Sequence, residues 1–307
     1  MTKSRRHIIL ATDLSARCDR AFGRAVLMAS EWDAKLTIVH ALEGAPGGRG
    51  LNLHRRAIDC ARRDAEAQIR TDLEDAGIAA NVVVRPGTAP MLVAALARRS
   101  PCSLVVAGIS SGHDIVQPMR GSRFEALARK SAAPVLIVAR PAQSAYENAV
   151  VGTNFSEGSR AALRATLRLF PEAEVTTLHA YRQVRESMAR ARDPDAAYKH
   201  VVSAYTRFVT DAARGHWRKM RRVAEIGYAE TLLQEYAEKR RIDLIVVGLE
   251  NRHPLLTFLL GGTVAPLVRR SSSDVLIVPA DWDAASDQHR AAFGGGCAEP
   301  PFAHAAR

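Results

Sequence analysis

The sequence predicts an α/β protein built as two doubly wound domains in tandem, each a five-stranded parallel sheet flanked by helices. Two observations carry this prediction. The first is that the chain is written twice. The stretch HIILATDLS around Asp13 returns as AVVGTNFS around Asn154, an offset of 154 − 13 = 141, and His40 in LTIVHA returns as His179 in VTTLHA, 179 − 40 = 139. Gly87, Gly108 and Gly121 return as Gly227, Gly248 and Gly261, and PVLIV from Pro134 returns as DVLIV from Asp274, all at 140. A spacing kept to within a residue marks duplication of a whole domain, not a short solenoid repeat. The second observation is the alternation of short β-branched runs with longer helical patterns. That alternation implies right-handed βαβ crossovers and a doubly wound sheet.

Taken in order, the first copy opens on a strand at 7–11, followed by a helix over 16–31 and a second strand over 36–41. A long helical pattern spans 53–76, a strand lies at 81–85, and a helix at 90–99. The last strands, 103–108 and 135–139, bracket a helix over 122–131. The second copy repeats the strands at 149–152, 174–179, 222–226, 243–248 and 275–279. Near-continuous Val, Ile and Leu in these runs indicates burial on both faces, as parallel sheets require. Two stretches break the pattern: GAPGGRG at 44–50, and a polar passage over 181–194 in the second copy. The domains are therefore set at 1–144 and 145–280. The remainder, 281–307, with GGG, PP and scattered Ala, is expected to be a flexible tail.

Composition agrees with two globular units. The 307 residues are 47% hydrophobic and 24% charged, with no apolar run long enough to cross a bilayer. The amino terminus runs straight into a strand pattern, so no signal peptide is expected. Cys18, Cys60, Cys102 and Cys297 form no CxxC pair, which fits a reducing cytoplasm better than a disulfide framework or a zinc site. The net charge of +11 invites anionic partners. The preferred reading is nevertheless a set of solvated Arg-rich helix faces, such as 61–70. An aromatic content of 6% is thin for base stacking and argues against nucleic acid.

In doubly wound sheets ligands sit at the carboxyl ends of the strands. Asp13 ends the first strand, His40 and Ala41 end the second, and Gly108 ends the fourth. After Gly108 comes GISSGHDIVQPMRGS, in which Gly121 and Ser122 open the final helix. A Gly-rich turn at a helix N-terminus presents unpaired N–H groups and a positive dipole end to phosphate. Ser122 adds a hydroxyl, and Arg120 is placed to reach an anion in the same loop.

These residues resemble the universal stress protein family. Gly108-x2-Ser111-x9-Gly121-Ser122 looks like its G-x2-G-x9-G-[ST] signature, joined by Ala11-Thr12-Asp13, His40-Ala41 and PVLIV. The resemblance covers both halves, over 5–140 and 147–280. It implies a strand order 3-2-1-4-5 and, as in many members, binding of ATP. Carried over, Ala11, Thr12 and Asp13 contact the nucleoside, backbone groups at Ala41 face adenine, and Gly108, Ser111, Gly121 and Ser122 line the phosphates. Ser111 stands where the family has its second glycine, with Gly112 beside it to take that part by a one-residue shift. Asp13 is also a candidate to hold Mg²⁺ together with phosphate oxygens.

The second copy departs further. Asn154 replaces the acidic residue, Asn251 stands at the second glycine, and Gly262 takes the serine position, with Thr263 one residue late. A degenerate structural copy is the preferred reading. The apolar loop with Leu255, Leu256, Phe258, Leu259 and Leu260 leaves a hydrophobic ligand or interface as the minor one.

Competing motifs are weaker. Gly108 to Gly112 also fits the G-x-S-x-G elbow of serine hydrolases around Ser110, but a loop with Pro118 follows where a helix should begin. Walker A, GxGxxG after the first strand and HExxH are all absent. His40 and His179 read as structural, and His113 and Asp114 as solvated loop residues. Asp13 has a plainer reading as cap of the following helix. Cys18, in that helix's first turn where the dipole lowers a thiol pKa, reads as a small core residue.

No water-positioning base of the kind phosphoryl transfer needs stands out. The expectation is a cytoplasmic sensor or regulator that binds ATP or a related adenine nucleotide, with at most slow hydrolysis. The alternative is a module that binds no nucleotide. The resemblance further implies that domains pair through their last strands. The apolar edges at 135–139 and 275–278 are then covered within one chain as a pseudo-dimer, leaving a homodimer as a further interface.

Overall fold

The computed structural model describes residues 6–16, 18–42, 51–99, 104–108, 123–181, 203–208, 220–250 and 264–282. The first half runs β1 (His7–Thr12), α1 (Asp19–Glu31), β2 (Lys35–Leu42), α2 (Leu51–Asp75), β3 (Asn81–Pro86), α3 (Ala89–Arg99), β4 (Leu104–Gly108), α4 (Arg123–Ser131) and β5 (Val135–Val138). The second runs β6 (Asn148–Thr153), α5 (Glu157–Leu169), β7 (Glu174–Tyr181), β8 (Arg221–Ile226), α6 (Ala229–Arg240), β9 (Leu244–Leu249), α7 (Val264–Arg270) and β10 (Asp274–Pro279). Strands and helices fall within a few residues of their predicted places.

All ten strands form one sheet, ordered β3-β2-β1-β4-β5-β10-β9-β6-β7-β8. Each half keeps the order 3-2-1-4-5, with every pairing inside a half parallel. The halves meet antiparallel: Val275 lies opposite Ile137, Leu276 opposite Leu136 and Ile277 opposite Val135.

The apolar strand runs are explained by the two cores they feed. Alternate residues of a strand point to opposite faces. Ile8, Leu10, Leu36 and Ile38 pack under α1 and α2 in a core that continues beneath α5 of the second half. Ile9, Val39, Val105 and Ile137 face the other way, toward α3, α4, α6 and α7. Each fully buried Ile or Leu contributes about 1.5–3 kcal/mol. Such double-sided burial fixes the register that lines up the strand ends.

The segment joining the halves is held by two aspartates of the second. Asp274, with no exposed surface, accepts from the backbone N–H of Ala139 (2.8 Å) and Arg140 (3.0 Å) and from the Tyr146 hydroxyl (2.5 Å). Asp243 accepts from the N–H of Glu147 (3.1 Å) and Asn148 (3.0 Å) and pairs with Arg140 (3.1 Å). Burial, and then the charge of Asp274, push the Tyr146 phenol well above its ordinary range.

One expectation needs correction. The helix predicted from Ala16 begins at Asp19, because residues 13–16 are committed to a turn. Trp282, within the segment read as a tail, is buried in the core, with the Arg168 guanidinium 5.4 Å from its ring centre, and 283–307 lie outside the described residues.

Candidate functional site

The carboxyl ends of β2, β1 and β4 lie side by side. Register places Thr12 beside His40, and Ala11 between Val39 and Ala107, so Gly108 follows at the same rim. Five of the predicted site residues, Ala11, Thr12, Asp13, Ala41 and Gly108, are thereby brought to one edge of the sheet. Ser111, Gly112, Arg120, Gly121 and Ser122 lie outside the described residues, as do Ser110, His113 and Asp114.

The chain leaves β1 by a tight turn with an internal logic. Leu14 is left-handed (φ 60°), a conformation unfavourable for a branched side chain. Its N–H donates to Thr12 Oγ1 (3.0 Å), and the Ser15 N–H donates to Asp13 Oδ1 (2.9 Å). The Ser15 hydroxyl (2.6 Å) and the Cys18 thiol (3.0 Å) donate to the same oxygen. Asp13 therefore shapes the turn and does not cap the helix; the α1 N-cap residue, Cys18, makes no side-chain cap bond. All three bonds fall on Oδ1. Among the described residues no other residue bonds Oδ2.

These bonds set the electrostatics. Burial alone would raise the Asp13 carboxyl, but the donors from Cys18 and Ser15 outweigh it and hold it below the usual range. Cys18 is buried in the core, as its reading from the sequence expected. Burial pushes its thiol up, and the neighbouring Asp13 charge adds to the rise. His40 Nδ1 lies 3.0 Å from the Thr12 carbonyl, which ties the end of β2 to the end of β1, as its structural reading expected.

Next to the turn is a cleft of about 390 Å³ between α1, α2 and the sheet. Leu14, Phe22, Ile38 and Ile69 supply its apolar wall, and Asp19, Asp72 and Asp75 its charge. The sequence reading missed this cleft. A left-handed leucine carries no sequence signal, but Asp72 and Asp75, three apart on one helix, could have been noticed.

The second half repeats the turn with different side chains around it. Phe155 is left-handed (φ 65°) and donates to Thr153 Oγ1 (3.0 Å); the Ser156 N–H donates to Asn154 Oδ1 (3.1 Å); His179 Nδ1 lies 2.8 Å from the Thr153 carbonyl. Ser159, at the place of Cys18, donates to Asn154 Oδ1 (2.7 Å). Differences begin around these bonds. Ser156 caps α5, which starts three residues earlier than α1 relative to the repeat. Gly158 lets that helix touch β9: a Cβ there would sit 2.7 Å from the Leu249 carbonyl oxygen. Residue 17, its equivalent, is an arginine.

Aromatic side chains fill the rest. Phe155 stacks on His179 (4.1 Å) and touches Tyr205 and Phe208 (5.6 Å each). Tyr205 bonds Thr177, and burial pushes its phenol up to about 12. Burial lowers His179, against the opposing pull of the Thr153 carbonyl. Asn154 Nδ2 donates to the Glu250 carboxylate (2.5 Å), which places a negative charge at this rim. Asn251, Gly262, Thr263 and the apolar loop after them in the repeat comparison lie outside the described residues.

Among the described residues no helix is long and apolar enough to cross a membrane, and no cluster of three His, Cys, Asp or Glu suits a metal ion. The family model described as "Universal stress protein family" matches residues 4–139 and again 145–279. A universal stress protein of Mycobacterium tuberculosis is 34% identical over 143 residues, covering 44% of this chain and 97% of that protein. The crystal structure of a universal stress protein from Archaeoglobus fulgidus superimposes with a TM-score of 0.66 at 16% identity, covering 89% of this chain and 96% of the other. A functionally unknown protein from Pseudomonas aeruginosa superimposes at 0.57 and 16% identity, covering 94% of this chain and 98% of its own.

Proposed function

The chain belongs to the universal stress protein family in both of its halves, and from that premise we propose that its first domain binds ATP or a related adenine nucleotide as a cytoplasmic stress sensor or regulator. The observation that carries this reading is the rim at β2, β1 and β4, where Thr12, Asp13, Ala41 and Gly108 meet and where the turn bonds of Asp13 all fall on Oδ1. The carboxylate, held ionised, suits a ribose hydroxyl. Three aspartates make the neighbouring cleft hostile to phosphate. On this reading the phosphates point the other way, toward β4, and the family resemblance assigns them to the segment that precedes α4 in sequence, which lies outside the described residues.

The donor set fits Mg²⁺ only in part: one carboxylate, Asp13, is at hand, so the nucleotide's phosphates have to complete the shell. Mg²⁺ would supply charge neutralisation there. Domain two serves as scaffold. Among the described residues its rim stacks Phe155 on His179 and carries the Glu250 carboxylate, which disfavours an anion there. We also place the two domains as a built-in dimer, a reading the β5–β10 pairing supports.

Calorimetry with ATP and Mg²⁺ tests the proposal on the wild type, Asp13→Ala and Gly121→Val. Binding of one nucleotide per chain, weakened at least tenfold in both variants, is the expected result. A wild type that gives no heat and releases no adenine on denaturation overturns it.

A further inference from the structure

The seam between β5 and β10 poses a problem of choice. The paired segments 135–137 and 275–277 are both Val-Leu-Ile, and their register is symmetric about Leu136 and Leu276. Exchanging the copies maps the ladder onto itself. Neither its hydrogen bonds nor its apolar side chains distinguish β5 on β10 from β5 on the β5 of a second copy, or β10 on another β10. Unsatisfied apolar strand edges of this kind are templates for association.

The distinction lies one residue beyond the ladder. Asp274 opens β10, whereas Pro134 stands just before β5. Its fully buried carboxylate receives the N–H groups of Ala139 and Arg140 and the Tyr146 hydroxyl. Buried Arg24 completes the set: its Nε is 3.7 Å from Oδ2, its guanidinium lies 4.3 Å from the Tyr146 ring centre, and its Nη1 donates to the Ser144 carbonyl (2.6 Å).

Pairing like with like reproduces only a part of this. The residue equivalent to Ala139 is Pro279 (279 − 139 = 140), which has no N–H, the equivalent of Arg140 is Ala280 (280 − 140 = 140), which keeps one, and the equivalent of Arg24 is Ala165 (165 − 24 = 141). A β10–β10 seam would bury two carboxylates against prolines. A β5–β5 seam would leave the N–H groups of Ala139 and Arg140 facing Pro134, which has no acceptor side chain. Buried carboxylates and donors without partners are strongly unfavourable.

We propose that Asp274 is a selectivity element that allows β5 to pair only with β10 and denies both last-strand edges to their counterparts in a second copy. This rests on the built-in dimer reading above. The tether between the domains then makes the partner the chain's own, by raising its local concentration.

The test uses the full chain with Cys18, Cys60, Cys102 and Cys297 changed to Ser, refolded at high concentration and then oxidised. By symmetry, Leu136→Cys alone forms a disulfide between chains only when β5 pairs with β5. Leu136→Cys with Leu276→Cys forms one within a chain when β5 pairs with β10. Monomers are expected from the single-cysteine chain that keeps Asp274. Disulfide-linked dimers at least tenfold more abundant are expected once Asp274→Pro makes the two strands alike. Should the proline variant fail to fold, Asp274→Asn is measured in its place. Equal amounts of dimer with and without Asp274, including none in either, overturn the proposal. Absence of the intrachain disulfide in the double-cysteine chain refutes the built-in dimer itself, a separate failure.

Discussion

The rims at the ends of β1 and β6 start from one design and end differently. Both use a threonine hydroxyl, an Asx side chain and a left-handed residue to turn the chain, and both tie a histidine to the threonine carbonyl. In the first domain the left-handed residue is Leu14 and a cleft of about 390 Å³ lies beside it. In the second it is Phe155, packed among His179, Tyr205 and Phe208, with α5 seated on β9 through Gly158. The backbone turn thus outlasted the duplication, while the side chains around it and the start of one helix diverged.

The largest test of this contrast is Phe208→Ala. Phe208 is 1% exposed, and its loss should cost about 3–5 kcal/mol in urea unfolding while opening in domain two the space that domain one has. A cost below about 1 kcal/mol would mean that the aromatic filling does not stabilise this rim. Next comes Gly158→Ala, which drives a methyl against the Leu249 carbonyl and should cost about 1–3 kcal/mol by thermal denaturation. The reverse graft, Leu14→Phe, should change stability by less than about 1 kcal/mol, since Phe155 already adopts the same backbone. Crystals of that variant should show a narrowed cleft.

The smallest effect is one of pH. His179 is lowered by burial, so in the folded protein it stays neutral where the unfolded chain takes a proton. Its contribution is fully present above the unfolded value of about 6.5 and is lost as pH falls from there through the lower folded value. His179→Gln should flatten stability over that window, and an unchanged pH profile would contradict the assignment.

Much of this was legible in the sequence because the signals were local and repeated. The strand runs are apolar on both faces, and the offset of 140 located each counterpart, so fold, order of elements and rim followed. What escaped depended on packing between distant segments. Asp274 looked like a variant of Pro134 in a shared strand motif, yet its partners are 128 to 135 residues away. Leu14 gave no hint of a positive φ, because glycine and asparagine are the residues that announce one.

The antiparallel seam has a directional consequence. Strands within a half all run one way, and the halves run opposite ways. The first domain's rim and the second's therefore lie at opposite margins of the sheet, separated by roughly the 20 Å of a six-residue strand. The molecule has two poles and no common face. α4 runs back from the first pole toward the start of β5, and its Arg129 donates to the Glu250 carbonyl at the second (3.0 Å). A partner touching both poles must reach around the sheet.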